Sequence, residues 1–167
     1  MKNSFSKNGL LYTISAVLLF SIAWSSCSKE KGAVPFQISN QSLFDLIEQS
    51  AGTGYYQNGN ILPAAGNSPH NSFKLRFNSI ALSALDSLGE LPAGSIFPDS
   101  SLVVKEVTVG GSLSEYAVMY KHKGSWVWGE YRTNGDVIYS IGNKGAACIS
   151  CHSEPINRDL TRTFDLH

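Results

Sequence analysis

"LVVKEVTVGGSLSEYAVMYKHKGSWVWGEYRTNGDVIYSI", residues 102 to 141, decides the fold. β-Branched and aromatic residues crowd it, and apolar positions recur every second residue, the period of a strand with one buried face. The pieces "LVVKEVTVGG", "EYAVMYKH", "SWVWGEYR" and "DVIYSI" read as successive strands. Lys123-Gly124 and Thr133-Asn134-Gly135-Asp136 join the later ones, and Asn-Gly favours a tight hairpin. Upstream, "SFKLRFN" sets Phe73, Leu75 and Phe77 against Lys74 and Arg76, which predicts one more half-buried strand. "NQSLFDLIEQSAG" puts Leu43, Phe44, Leu46 and Ile47 on one helical face, with Ser42 as cap and Gly52 as stop. "SIALSALDSLG" reads as a second helix ending at Gly89, and "TGYYQNGNILPAAGNSP" as loop. The expected class is α+β: an antiparallel β-meander flanked by short helices, with a last short helix carrying a C-x-x-C-H segment.

The chain has 167 residues, 13 Lys+Arg against 13 Asp+Glu and 43% apolar content, enough for one compact domain. No charge block points to nucleic acid or to an acidic partner. The N-terminus reads as an export signal, with Lys2 and Lys7 ahead of a 15-residue apolar run, Leu10 to Trp24, too short for a comfortable membrane span. Ser25-Ser26 before Cys27 resembles the lipobox of bacterial lipoproteins, with Trp24 in place of the usual aliphatic residue. The expected layout is a signal over 1–26, a tether over 27–38 starting at lipidated Cys27, and a single domain over 39–167. The chain would then be an exported cell-envelope lipoprotein, periplasm-facing or on the cell surface; soluble secretion and an uncleaved anchor are the alternatives.

Of three cysteines, only Cys148 and Cys151 remain if Cys27 carries lipid, and His152 follows them. C-x-x-C-H is the attachment pattern of haem c: two thiols on one turn of helix reach the two vinyl groups, and the histidine becomes an axial ligand of the iron. A zinc site would need further close-spaced ligands, and His70, His122 and His167 form no second cluster. A redox C-x-x-C would want a βαβ setting, and a structural disulfide is a further alternative. Only 15 residues follow His152 and none is methionine, so a Met/His electron carrier with a downstream methionine is not expected.

Lys105 stands out on the strand "LVVKEVTVG", where alternation puts it with Val103, Val107 and Val109. Either the face is partly buried and the ammonium snorkels to water, or Lys105 enters a cofactor pocket where desolvation frees its amine. Glu106 faces the other way and, like Glu115, Glu130 and Asp136, reads as a solvated strand residue. Trp126, Trp128, Tyr116 and Tyr120 read as core or dimer surface, and Met119 as core. Phe77 or Phe97 could cap an iron's distal side, His70 and His122 read as surface residues, and His167 as a frayed terminus or a stray ligand.

"GSIFPDSSLVVKEV", "YAVMYKHKGSWVWGEYRTNGDV" and "GAACISCHSEPINRDLTRTF", in that order, resemble the cytochrome P-460 family, which includes the cytochromes c′-beta. The likeness covers roughly Pro69 to Phe164. It implies a mostly antiparallel β domain, commonly a homodimer, with one five-coordinate haem c held by Cys148 and Cys151 and ligated by His152. It also implies that Lys105 is the lysine that hydroxylamine-oxidising members cross-link to the haem macrocycle. The implied partners are a small nitrogen ligand, hydroxylamine or nitric oxide, and an external electron acceptor. Hydroxylamine would be oxidised to nitric or nitrous oxide. Some oxidising members place a carboxylate shortly before the haem motif, and "VIYSIGNKGAA", 137 to 147, has none; Glu106, Glu115, Glu130 or Asp136 could substitute by a different approach, though each reads more simply as a solvated strand residue. That departure leaves a non-catalytic gas-binding protein of the c′-beta kind as the alternative. A plain electron-transfer cytochrome is a third reading, with Met119 or His70 as sixth ligand.

Overall fold

A computed structural model describes residues 37–64 and 68–162; the signal segment, Cys27, nearly all of the tether and His167 lie outside them. Strand β2 (Leu102–Val109) pairs antiparallel with β1 (Phe73–Phe77) on one side and with β3 (Ser112–His122) on the other. Strands β4 (Ser125–Arg132) and β5 (Val137–Tyr139) extend the sheet in chain order, so five antiparallel strands lie side by side as expected. Two-residue hairpins of the type I′ kind need positive φ at both central positions. Gly110 and Gly111 (φ 60° and 83°) supply it between β2 and β3, and Lys123 and Gly124 (φ 51° and 74°) between β3 and β4.

Helix α1 (Asn40–Gln49) lies across one face, packing Leu43 and Ile47 on Leu102, Val104, Tyr116, Val118 and Tyr131. Its cap is Ser39, not Ser42. The Ser39 hydroxyl accepts from the Ser42 amide while the Ser42 hydroxyl accepts from the Ser39 amide, a reciprocal capping box.

That helix overturns the reading of β1 as half-buried. Arg76, expected on a wet face, is 1% exposed. Its Nε donates to Glu106 Oε1 (2.7 Å), Nη2 to the Ile47 carbonyl (2.9 Å) and Nη1 to the Ser50 hydroxyl. The Tyr55 hydroxyl donates to the same Glu106 carboxylate. Glu106 faces away from Lys105 as expected, but it is a partnered residue under α1 and not a solvated one.

The second expected helix shrinks to one turn, α2 (Ser79–Leu82), capped by the Asn78 side chain on the Ala81 amide. The helix ends at the Ser83 cap, and beyond it the Asp86 carboxylate accepts from the Leu88 and Glu90 amides and bends the chain back around Gly89. Helix α3 (Ile149–His152) carries Cys151 and His152, with Cys148 at its N-cap.

Replacing Arg76 by Met would leave the Glu106 carboxylate under α1 without its cation, which typically costs about 3–5 kcal/mol. Urea unfolding should show that loss for Arg76→Met and a clear recovery in Arg76→Met/Glu106→Gln. Equal stabilities for the wild type and Arg76→Met would refute the account.

Candidate functional site

The sheet face opposite α1 is built in rows across the strands. One row reads Leu75, Lys105, Ala117, Glu130, Tyr139, and its neighbour Phe77, Val103, Met119, Trp128. Strands lie about 4.8 Å apart, so an alanine between a lysine and a glutamate leaves a hollow in the first row. The C-terminal segment crosses this face, and between the two lies a cavity of about 320 Å3. Lys105, Glu130, Cys148, Cys151, His152 and His70 all line it.

Cys148 precedes the first residue of α3, so it and Cys151, three positions on, share a helical face. Both are free thiols, half-buried, and no disulfide joins them. The Cys148 and Ile149 amides donate to the Gly145 carbonyl (2.8 and 2.9 Å), and the His152 amide to the Cys148 carbonyl (3.1 Å). Gly145 (φ 71°) lies so close to Trp128 that a Cβ would overlap the indole ring, which makes glycine a requirement there.

His152 Nδ1 lies 2.6 Å from the Leu160 carbonyl oxygen. A carbonyl only accepts, so Nδ1 carries the hydrogen and Nε2 keeps the lone pair. The ring meets Trp128 edge-on, with centres 4.8 Å apart. Burial holds the His152 pKa down to about 4; the Leu160 hydrogen bond works against this, and Lys105 and Arg162 work with it. His152 is a neutral imidazole at pH 7.

Lys105 Nζ sits 4.5 Å from the centre of the Phe73 ring. Burial, helped by the nearby Arg162 charge, lowers its pKa from 10.5 to about 8. Contact with an aromatic face favours the ammonium, but desolvation is the larger effect.

Two residues depart from expectation. His70 is not a surface histidine: its side chain is 14% exposed and lines the cavity. Burial first, then Lys105 and His152, bring its pKa to about 4. Glu130 is not a solvated strand residue; it lines the same cavity, and burial, with Glu115 nearby, raises its pKa. His70 Nε2 and Glu130 Oε1 stand 3.9 Å apart. That exceeds hydrogen-bond length and the imidazole is neutral, so they are neighbours and not an ion pair. Period-two alternation from Trp126 and Trp128 would have put Glu130 on their face. His70 follows a Gly/Asn/Pro loop in which no period exists to place it.

Phe77 and Phe97 stack in the core (6.2 Å) away from the cavity, and Phe73 lines it instead. Trp126, Trp128, Tyr116 and Tyr120 are all buried, the tryptophans on the cavity face and the tyrosines under α1. Met119 is buried and touches the cavity. Among the described residues no three His, Cys, Asp or Glu side chains converge on a metal-ion position.

In the cofactor-free chain, Lys105 should be acetylated with a midpoint near pH 8, read peptide by peptide by mass spectrometry. Burial favours the neutral amine, so reactivity rises with pH through that value; a midpoint at the ordinary 10.5 would contradict the assignment. No family model matches this chain, and no curated protein or solved structure matches it either.

Proposed function

We propose that this chain is an exported, lipid-anchored cytochrome carrying one haem c, which binds and oxidises small nitrogen species, hydroxylamine foremost, in the cavity over Ala117. One observation carries the reading: Cys148, Cys151 and His152 line the same cavity as Lys105, which reaches it from the middle of the sheet. The donor set suits the cofactor. Two reduced thiols on one helical face can form the thioether links, and a neutral imidazole bound through Nδ1 presents Nε2 as ligand. A haem held by Cys148, Cys151 and His152 would supply redox chemistry at an iron open to a small nitrogen ligand, with an external acceptor for the electrons.

The protein's own groups handle the rest. Hydroxylamine must lose protons as it loses electrons, and Glu130 is a carboxylate in the cavity placed to accept one, with His70 as a neutral second base beside it. Glu130 answers the lack of a carboxylate over 137–147 by approaching from β4, and this favours oxidation over passive gas binding. Lys105, still mostly an ammonium at pH 7 and free-base above about pH 8, yields its neutral amine far more readily than an ordinary lysine and is the amine available for a link to the macrocycle. Electron transfer alone keeps one supporting observation, since Met119 and His70 also line the cavity and either could be a sixth ligand.

Co-expressed with a haem-attachment system, the chain should carry covalent haem that Cys148→Ser/Cys151→Ser loses. A red-shifted, broadened Soret band that disappears in Lys105→Ala is the expected mark of the cross-link. The reduced protein should bind carbon monoxide rapidly; slow binding would favour the electron-transfer reading. Hydroxylamine oxidation with an artificial acceptor should fall about 10²–10⁴-fold in Glu130→Gln with carbon monoxide binding kept. No turnover by the wild type would leave gas binding as the function.

A further inference from the structure

We propose that Asp159, which lies outside the cavity, is the positioning residue for His152: it clamps the turn whose Leu160 carbonyl sets the tautomer and rotation of the imidazole. The inference rests on the reading of His152 as the haem ligand.

The turn runs from Arg158 to Thr161, closed by the Thr161 amide on the Arg158 carbonyl (2.9 Å). At its centre Asp159 and Leu160 both have positive φ, 48° and 63°, without a glycine between them. Left-handed backbone is costly for such residues and persists only when the surroundings hold it. The surroundings here do. Lys121 Nζ reaches both Asp159 carboxylate oxygens (2.8 and 2.9 Å), with the two side chains 5% and 9% exposed. The Phe97 amide donates to the same carboxylate (2.8 Å). Trp126 Nε1 donates to the Asp159 carbonyl (2.7 Å), and Arg158 Nη1 to the Leu91 carbonyl (2.6 Å).

Contacts from β3, β4 and the 90–97 connection thus converge on one turn, and its outgoing carbonyl, Leu160, accepts from His152. The opposite ring nitrogen is left for the cavity. A fixed acceptor on Nδ1–H also raises electron density at Nε2, the usual effect of a partner behind a ligating histidine. Lys121 grips the turn through the Asp159 side chain, and the backbone passes that grip one residue on, to the carbonyl.

The test compares Asp159→Asn, Lys121→Gln and Lys121→Arg with the wild type, all haem-loaded. In Asp159→Asn the iron–histidine stretching band of the reduced protein should move to lower wavenumber and the reduction potential should rise. Lys121→Gln should move both part of the way, and Lys121→Arg, which keeps the charge, should restore them. The unloaded chain gives a second readout through 15N shifts of His152, a single Nδ1–H tautomer in the wild type and a mixture in Asp159→Asn. If Asp159→Asn does not fold, the two Lys121 variants decide. Lower melting temperatures with unchanged band, potential and tautomer would mean a structural role only and would overturn the proposal. A wild-type chain that takes up no covalent haem would overturn the haem reading instead, and the tautomer would still decide the role of Asp159.

Discussion

The register of β2 between its two neighbours is the constraint on which everything else depends. Lys105 stands opposite Leu75 and Ala117, and Glu106 opposite Lys74 and Tyr116. A slip of one residue would send Lys105 under α1, among Leu43, Ile47 and Arg76, and Glu106 into the cavity face. Both errors would bury a charge beside the wrong partner. In the actual register each of the two has a fitting environment: Glu106 meets Arg76 and Tyr55, and Lys105 meets a hollow over Ala117 rimmed by Phe73. A sheet covered on both faces specifies its register twice.

The covering of the second face is costly. Asp159 and Leu160 hold left-handed backbone, and Lys121 and Asp159 are taken out of water to hold it there. Their bidentate contact and the Phe97 amide satisfy the carboxylate, and Trp126 satisfies the carbonyl. The result is a short connection from the middle of the sheet to the back of His152, so the imidazole's orientation depends on strand packing and not on the one-turn helix that bears it.

Within the cavity burial pushes Lys105, His70 and His152 downward and Glu130 upward, each toward its neutral form. Two neutral imidazoles beside a carboxylate of raised proton affinity fit the proposed chemistry, in which a small nitrogen substrate gives up protons. Small residues, Ala117 and Gly145, bring the groups together by leaving space that larger side chains would fill.

Local sequence determined the strands, because alternation and hairpin turns are short-range signals, and it placed the two thiols and the imidazole on one turn, because three-residue spacing does that in any helix. It also set Lys105 on the valine face. Tertiary structure alone decided that α1 would cover the face where Arg76 was expected to meet water, since burial of a β1 residue depends on a helix some 30 residues earlier in the chain. It alone brought His70 to Glu130 and Lys121 to Asp159, pairs separated by 60 and 38 residues. Such pairs follow no period: a cavity exists only where distant segments close around a gap, and no window of sequence contains both sides.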